Sequence, residues 1–122
     1  MFVNTQRSAP FLAELCRTLN ATSAWLLQYH SRRRVSIVVG EYWAHTANAS
    51  ESLSDLGEEY PQSLQPRLYE WIHANEDMTW IIQIDNLAED SLARLEYIQD
   101  NVKTVLYIRI CHESQTWGFI EV

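Results

Sequence analysis

Apolar residues recur along this chain with two periods, that of a helix and that of a strand. The first segment carries its apolar residues at the three- and four-residue spacing of one helical face: Phe11, Leu12, Leu15, Cys16 and Leu19. Ser8 followed by Ala9-Pro10 is typical of a helix start, because a hydroxyl caps free N–H groups and proline has none to lose. The pattern predicts a helix from Ser8 to about Asn20, with Cys16 as a core residue rather than a reactive thiol.

Two β-rich segments follow this helix. They are "TSAWLLQYHS" and "VSIVVGEYW", and the polar run Arg32-Arg33-Arg34 lies between them. Aromatic and β-branched residues on both sides of a short polar connection predict an antiparallel hairpin. We expect the three arginines to form a solvated turn.

The middle of the chain alternates between polar and apolar stretches. Residues 44–66 are polar, contain Gly57 and Pro61, and predict a long loop with at most a short turn of helix. Pro66 then begins a short helix that ends near Asn75. The segment "MTWIIQIDNL" predicts a strand, and Asp90 caps a further helix whose apolar residues are Leu92, Leu95, Ile98 and Val102.

The chain closes on a second hairpin, "TVLYIRI" and "TWGFIEV" joined by "CHESQ". Alternation places Leu106, Ile108 and Ile110 on one face of the first strand, and Val105, Tyr107, Arg109 and Cys111 on the other. Both faces are apolar, so the sheet should be covered on both sides. Cys111-His112-Glu113 contains residue types that bind metals and catalyse reactions. Neighbours in a strand point to opposite faces, however, so we interpret these residues as the hairpin bend.

This order of elements predicts an α+β, or mixed α/β, fold. Hairpins dominate the connections, so we expect one mostly antiparallel sheet of about five to six strands with helices on both sides. A length of 122 residues fits a single domain, residues 1–122.

Composition narrows the functional classes. The formal charge of -7 opposes binding to a phosphate backbone, so nucleic acid is excluded as a partner. No apolar run approaches the length needed to cross a bilayer, and no signal peptide is evident, which predicts a cytoplasmic domain without membrane contact. Cys16 and Cys111 are far apart in sequence, as expected of free thiols in a reducing compartment.

The sequence also lacks the motifs of common catalytic and cofactor sites. Its three glycines are scattered, which excludes a phosphate-binding loop. It has no G-x-S-x-G or H-E-x-x-H motif, and its four histidines lie on different predicted elements. We therefore expect no catalytic residues and no metal site.

The order of elements and the ending Trp117-Gly118-Phe119-Ile120-Glu121-Val122 resemble a GAF domain, the small GAF/PAS-like sensory module of bacterial signalling proteins. The resemblance extends to "SIVVGEYW" and "DLGEEYPQ" and so spans most of the chain. It implies a non-enzymatic sensory domain that binds a small molecule or mediates a homodimer. It also implies a parent protein such as a histidine kinase or a cyclase, since such domains continue into a further helix where this chain stops.

Phytochrome-type GAF domains attach a bilin to the cysteine of a "Cys-His-Leu-x-Tyr-Leu" helix. Leu95 and Tyr97 match that motif here, but Ala93 and Arg94 occupy the thiol and imidazole positions. The comparison therefore predicts no cofactor, and in particular no covalent bilin, while a non-covalent ligand of unknown identity stays open.

The resemblance further implies a pocket between one sheet face and a cover formed by about residues 44–100. Amphipathic rings and one cation are its predicted ligand-binding residues: Tyr42, Trp43, Trp71, Trp80, Tyr97, Tyr107 and Arg109. A strand arginine on a covered face must find an anion, internal or bound. The same rings could instead fill a core that binds nothing.

Two alternative functions remain. One is a thiol-dependent enzyme similar to the GAF-like methionine sulfoxide reductases, which requires Cys16 or Cys111 to be reactive. The other is a purely structural dimerisation module.

Overall fold

The computed structural model describes residues 5–47, 53–74, 77–83, 103–113 and 115–122. The helix predicted to begin at Asp90 lies outside these residues, as do Tyr97 and the positions Ala93 and Arg94 of the bilin comparison.

Six strands form one sheet in which every neighbouring pair is antiparallel. In chain order the strands are β1 (Ser23–His30), β2 (Val35–Trp43), β3 (Glu59–Pro61), β4 (Thr79–Gln83), β5 (Thr104–His112) and β6 (Gln115–Glu121). Their order across the sheet is β3-β2-β1-β6-β5-β4, so the first and last hairpins meet at its centre through β1 and β6. The predicted fold class and both predicted hairpins are confirmed.

Helix α1 (Thr5–Leu19) covers one face of the sheet. Its buried residues Leu12 and Cys16 pack against Ala24, Leu26 and Ile120. Cys16 is 2% exposed, as its predicted role in the core requires. Burial of these side chains, at about 25 cal/mol per Å² of apolar surface, holds the helix on the sheet.

The predicted start of α1 is wrong by three residues. Ser8 lies inside the helix, which already begins at Thr5, and Pro10 is an interior residue. A proline removes the hydrogen bond to the carbonyl four residues earlier, and its ring crowds the same carbonyl, so near a helix start both effects are confined to the first turns.

Helix α2 (Pro66–Ala74) covers the opposite face. Leu68, Tyr69 and Ile72 are buried, and they pack against strand residues Leu27, Val38, Val105, Tyr107 and Phe119. The predicted bounds of this helix are confirmed to within one residue. The sheet therefore separates two cores, one under each helix.

The predicted long loop contains more structure than its sequence indicates. A 3₁₀ helix (Gln62–Leu64) follows β3, and residues before β3 lie along the outer edge of β2. The Gly57 amide donates to the Val38 carbonyl over 2.9 Å, and the Val38 amide donates to the Glu58 carbonyl over 3.1 Å. This segment covers an edge that would otherwise present unpaired backbone groups.

The guanidinium of Arg109 joins α2 to the sheet. Arg109 lies on β5, is 2% exposed, and donates to the backbone carbonyls of Trp71 and Ile72 in the last turn of α2. It also donates to the Asp77 carbonyl and to Thr116 Oγ1, each over 3.2 Å. Carbonyls at a helix C-terminus carry partial negative charge, so they solvate a cation that has left water.

Gly118 is required where β6 crosses the centre of the sheet. Gly118 pairs with Gln28 on β1 and with Ile110 on β5. A Cβ atom at this position would lie 2.0 Å from the Leu27 carbonyl oxygen and 3.1 Å from the Gln28 Cα atom. Both are backbone atoms of β1, so neither can move without shifting the strand.

Replacing Gly118 with alanine should lower the free energy of unfolding by about 3 kcal/mol or more, at the upper end of overpacking effects. The matched control is Gly57→Ala. Gly57 has φ of 83° and open space around its Cβ position, so only the left-handed strain of about 1 kcal/mol applies. Urea unfolding followed by tryptophan fluorescence measures both. Equal losses for the two variants would contradict the close approach of β1 and β6.

Replacing Arg109 with methionine should lower the free energy of unfolding by about 3 kcal/mol or more, because several helix-end carbonyls lose their donors inside the core. Arg109→Lys should fall between this variant and the wild type, since lysine keeps the charge but not the planar set of donors.

The control for Arg109 is Arg17→Gln. Arg17 is exposed and pairs with Glu14 one helical turn away, so its loss should leave the unfolding midpoint unchanged. A stable Arg109→Met protein with the wild-type midpoint would show that α2 does not depend on this arginine.

Candidate functional site: the aromatic face under α2

The sheet face under α2 carries a stack of aromatic rings, the aromatic cluster, formed by Trp71, Trp80, Tyr107 and Phe119. Trp80 and Tyr107 stack with ring centroids 5.3 Å apart and an interplanar angle of 25°. Trp71 lies 6.1 Å from each of them, and Tyr107 meets the edge of Phe119 at 5.8 Å. Offset and edge-on contacts of this kind stabilise ring clusters beyond the effect of burial.

Arg109 continues this stack on the side of Trp71. Its guanidinium carbon lies 4.6 Å from the centroid of the Trp71 ring, within range of a cation–π interaction. Since the same guanidinium binds the end of α2, it fixes both the backbone and the side chain of Trp71. Trp71 is thereby held in place, with its ring tilted by 33° from the Trp80 ring and by 53° from the Tyr107 ring.

Three indole N–H groups are buried without an acceptor in the described part of the chain. They belong to Trp25, Trp43 and Trp71. Trp25 and Trp71 pack against the core under α2. A buried donor without a partner costs about 1–3 kcal/mol, so such donors call for an acceptor. The unpaired donors of Trp25 and Trp71 are the most ligand-like property of this face.

Tyr69 anchors the other end of α2 to the first hairpin. Its hydroxyl donates to the Tyr60 carbonyl over 3.0 Å and lies 2.6 Å from Ser36 Oγ. The Tyr69 hydroxyl has one hydrogen and donates it to the Tyr60 carbonyl. In the contact between Tyr69 and Ser36, the Ser36 hydroxyl is therefore the donor. Burial raises the pKa of Tyr69, and the bond from Ser36 opposes that shift only in part.

Tyr29 and His73 form a polar pair beside Tyr69. The Tyr29 hydroxyl lies 3.3 Å from His73 Nε2, and the Tyr29 ring packs 5.5 Å from the Tyr69 ring. Desolvation raises the pKa of Tyr29, while the positive charge of Arg34 lowers it to a smaller extent. The pair marks where the aromatic face ends and a charged surface begins.

The structure brings four of the seven predicted ligand-binding residues together: Trp71, Trp80, Tyr107 and Arg109. Tyr107 and Arg109 share one face of the sheet, as the alternation in β5 predicts, and Trp80 of β4 and Trp71 of α2 pack there with them. The Arg109 guanidinium does not need an external anion, because backbone carbonyls accept its hydrogen bonds.

The other predicted residues do not join that group. Tyr42 packs against the core under α1, on the opposite face of the sheet. Trp43, its neighbour in β2, therefore faces away from α1 and is half-buried. Tyr97 lies outside the described residues.

Sequence reasoning missed Trp25, Tyr29, Tyr69 and His73. Trp25 and Tyr29 alternate with Leu27 along β1, which the structure places on the face under α2. That period-two pattern was visible in the sequence, but which face α2 covers was not. The burial of Tyr69 was not predicted, because Leu68, Trp71 and Ile72 already account for the apolar spacing of that helix.

The hairpin interpretation of Cys111-His112-Glu113 is confirmed. His112 pairs with Gln115, and Glu113 adopts φ of 52° in the turn that follows. Cys111 is exposed at the end of β5, whereas Cys16 is buried under α1. Buried thiols in apolar surroundings are poor nucleophiles, so Cys16 does not favour the enzymatic alternative.

Two searches of the described residues bear on metals and membranes. They contain no group of three or more histidine, cysteine, aspartate or glutamate side chains placed to hold a metal ion. Among them there is also no helix with the length and apolar character of a membrane span.

Comparison with solved structures reveals the fold. The phycocyanobilin-bound GAF domain of a cyanobacterial phytochrome superposes with a TM-score of 0.73 at 14% identity, covering 98% of this chain and 69% of that one. The phycoerythrobilin-bound GAF domain of a cyanobacterial phytochrome superposes with a TM-score of 0.72 at 15% identity, covering 96% of this chain and 69% of that chain. The blue-light absorbing form of the Thermosynechococcus elongatus PixJ GAF domain has a TM-score of 0.72 at 13% identity, covering 96% of this chain and 66% of that chain. No family model and no curated protein matches the sequence.

These structures correct the expectation that the domain carries no cofactor. That expectation is wrong, because similar structures hold phycocyanobilin and phycoerythrobilin. It rested on Ala93 and Arg94, two positions that lie outside the described residues. The antiparallel sheet, its two helices and these superpositions agree that this chain has the fold of a GAF domain.

Proposed function

We propose that this chain is the sensory GAF domain of a signalling protein and that its aromatic face binds a bilin. The observation that carries the proposal is the pair of buried indole donors at Trp25 and Trp71, which pack against the core under α2 and have no acceptor among the described residues. A bilin is a flat conjugated tetrapyrrole with carbonyl and carboxylate oxygens at its edges. Those oxygens are the acceptors that the indole groups lack.

The aromatic cluster fits the flat part of such a ligand. The Trp80 ring stacks on the buried Tyr107 ring at an interplanar angle of 25°, so the half-buried Trp80 ring is the π surface that a ligand would contact. Rings of this kind suit an apolar site with a few polar handles, the usual composition of a small-molecule pocket. When bound, the bilin would supply light absorption, and the chain's own residues would orient it and exclude water.

Arg109 has an indirect role in this proposal. It is a positioning residue, because its guanidinium stacks on the Trp71 ring and binds the Trp71 carbonyl. The Trp71 indole is thereby held at one orientation whether or not a ligand is present. A preformed donor loses less freedom on binding than a mobile one.

Signal output would follow from a shift between two packings of the helices. A ligand that binds one arrangement of the α2 side better than another changes their populations by its difference in affinity. We propose a cytoplasmic parent protein, a histidine kinase or a cyclase, in which two copies of the domain pair. In that parent, α1 would transmit the change.

Titration with phycocyanobilin tests this function. Saturable binding at one pigment per chain should shift the visible absorption band of the pigment and quench tryptophan fluorescence. Trp71→Phe should weaken binding by about fivefold, because it removes one N–H donor and keeps an aromatic ring.

The matched control is Trp117→Phe. Trp117 packs against the core under α1, on the far side of the sheet, so its loss should leave pigment affinity unchanged. Equal weakening by the two substitutions, or no saturable spectral change with the wild type, would refute bilin binding at the aromatic face.

A further inference from the structure

Residues 53–58 run along the outer edge of β2, and we call them the strap. The C-terminal end of the strap is held by backbone hydrogen bonds. The Gly57 amide donates to the Val38 carbonyl over 2.9 Å, and the Val38 amide donates to the Glu58 carbonyl over 3.1 Å. The other half of the strap is held in a different way, through one side chain of β2, Glu41.

Glu41 binds the strap with both oxygens of its carboxylate. Oε1 accepts a hydrogen bond from the Ser54 hydroxyl, and Oε2 accepts one from the Asp55 amide over 3.0 Å. Apolar packing adds little, since Leu53 is 69% exposed and Leu56 is 46% exposed. A segment with few buried contacts opens at a lower free energy than the core does. Among the described residues, Glu41 therefore supplies the hydrogen bonds that hold this half of the strap to the sheet.

Two buried indole donors lie next to Glu41 on the same face of the sheet. Trp25 is its partner across the β1–β2 ladder, and Trp43 follows it by two residues in β2. Such neighbours share a face, with Cβ atoms about 5 and 7 Å from that of Glu41. Neither indole nitrogen has an acceptor within the described ranges. The carboxylate that could accept from both is bound to the strap instead.

The two sets of donors differ in their access to water. Ser54 is exposed and Asp55 is half-buried, so water can replace Glu41 as their partner when the strap opens. The two indole nitrogens are buried, and a buried donor without an acceptor costs free energy. Opening of the strap would therefore satisfy the indoles without leaving the strap donors unpaired.

We propose that the strap is a latch with two states, between which Glu41 exchanges its partners. In the latched state, which the structure shows, the carboxylate binds the strap. In the released state it accepts hydrogen bonds from the Trp25 and Trp43 indoles, and residues 53–56 leave β2. The exchange uses only groups of this chain, so it does not depend on the bilin proposal.

Gly57 is the hinge of this motion. Its φ of 83° lies in the left-handed region, which glycine occupies without strain, and the space around its Cβ position is open. Its amide stays on the Val38 carbonyl in both states, because that hydrogen bond does not involve Glu41. Release is therefore confined to the half of the strap before the hinge.

The latch would also regulate the aromatic face, a consequence that does rest on the proposed function. In the released state Trp25 donates to Glu41, so one of the two donors proposed for the bilin is no longer available. A ligand shifts a two-state equilibrium toward the state that it binds better. Bound pigment should therefore keep the strap latched and so change the exposed edge of the sheet.

Amide hydrogen exchange of the free protein, followed by NMR, tests the latch without any pigment. Trp43→Phe and Trp25→Phe each remove one donor that favours release. Each should slow exchange of the Asp55 amide by about tenfold, the effect of one hydrogen bond to a charged group. The Gly57 amide should exchange at its wild-type rate in both variants, because the hinge does not open.

Trp71→Phe is the matched control. It removes another indole donor that has no acceptor among the described residues, but Trp71 lies on α2 and does not neighbour Glu41, so exchange at Asp55 should be unchanged. Unchanged or faster Asp55 exchange in either folded β-strand variant would overturn the latch. Equal slowing by Trp71→Phe, or equal wild-type exchange rates at Asp55 and Gly57, would do the same.

Discussion

The guanidinium of Arg109 is the interaction on which the rest of this structure depends. It is a buried cation whose described partners are backbone carbonyls and a threonine hydroxyl instead of a carboxylate. The end of α2 supplies two of these acceptors, the Trp71 and Ile72 carbonyls, with the partial negative charge of the helix dipole. Because the arginine belongs to β5 and these two partners to α2, one side chain sets where the helix lies on the sheet.

The aromatic face follows from that position. Trp71 and Ile72 are consecutive residues of α2, and both of their backbone carbonyls accept hydrogen bonds from Arg109. The Trp71 ring is thereby placed on the guanidinium and beside Trp80. Tyr69 also binds Ser36 of the first hairpin and Tyr60 of β3. The helix is therefore fixed to both halves of the sheet, and the Trp71 indole is held at a defined position.

The two sides of α2 offer two different kinds of chemistry. The side facing the sheet is aromatic and contains N–H donors without acceptors, which suits a flat ligand with carbonyl oxygens. The outer side faces a polar groove whose lining includes Arg34, Gln62 and Glu70.

The sequence by itself determined the local elements, because periodicity and turn chemistry are properties of neighbouring residues. The bounds of β2, the hairpin at Cys111 and the two faces of β5 could all be predicted in this way. So could the grouping of Trp71, Trp80, Tyr107 and Arg109, once the resemblance to a GAF domain supplied the fold. Only the tertiary structure decided which face each helix covers, which separates Tyr42 from that group and adds Trp25 to it. It alone decided that Arg109 ends on helix carbonyls and that Arg34 and Gln62 meet in a groove, because those partners are distant in sequence and no local pattern encodes a contact between them.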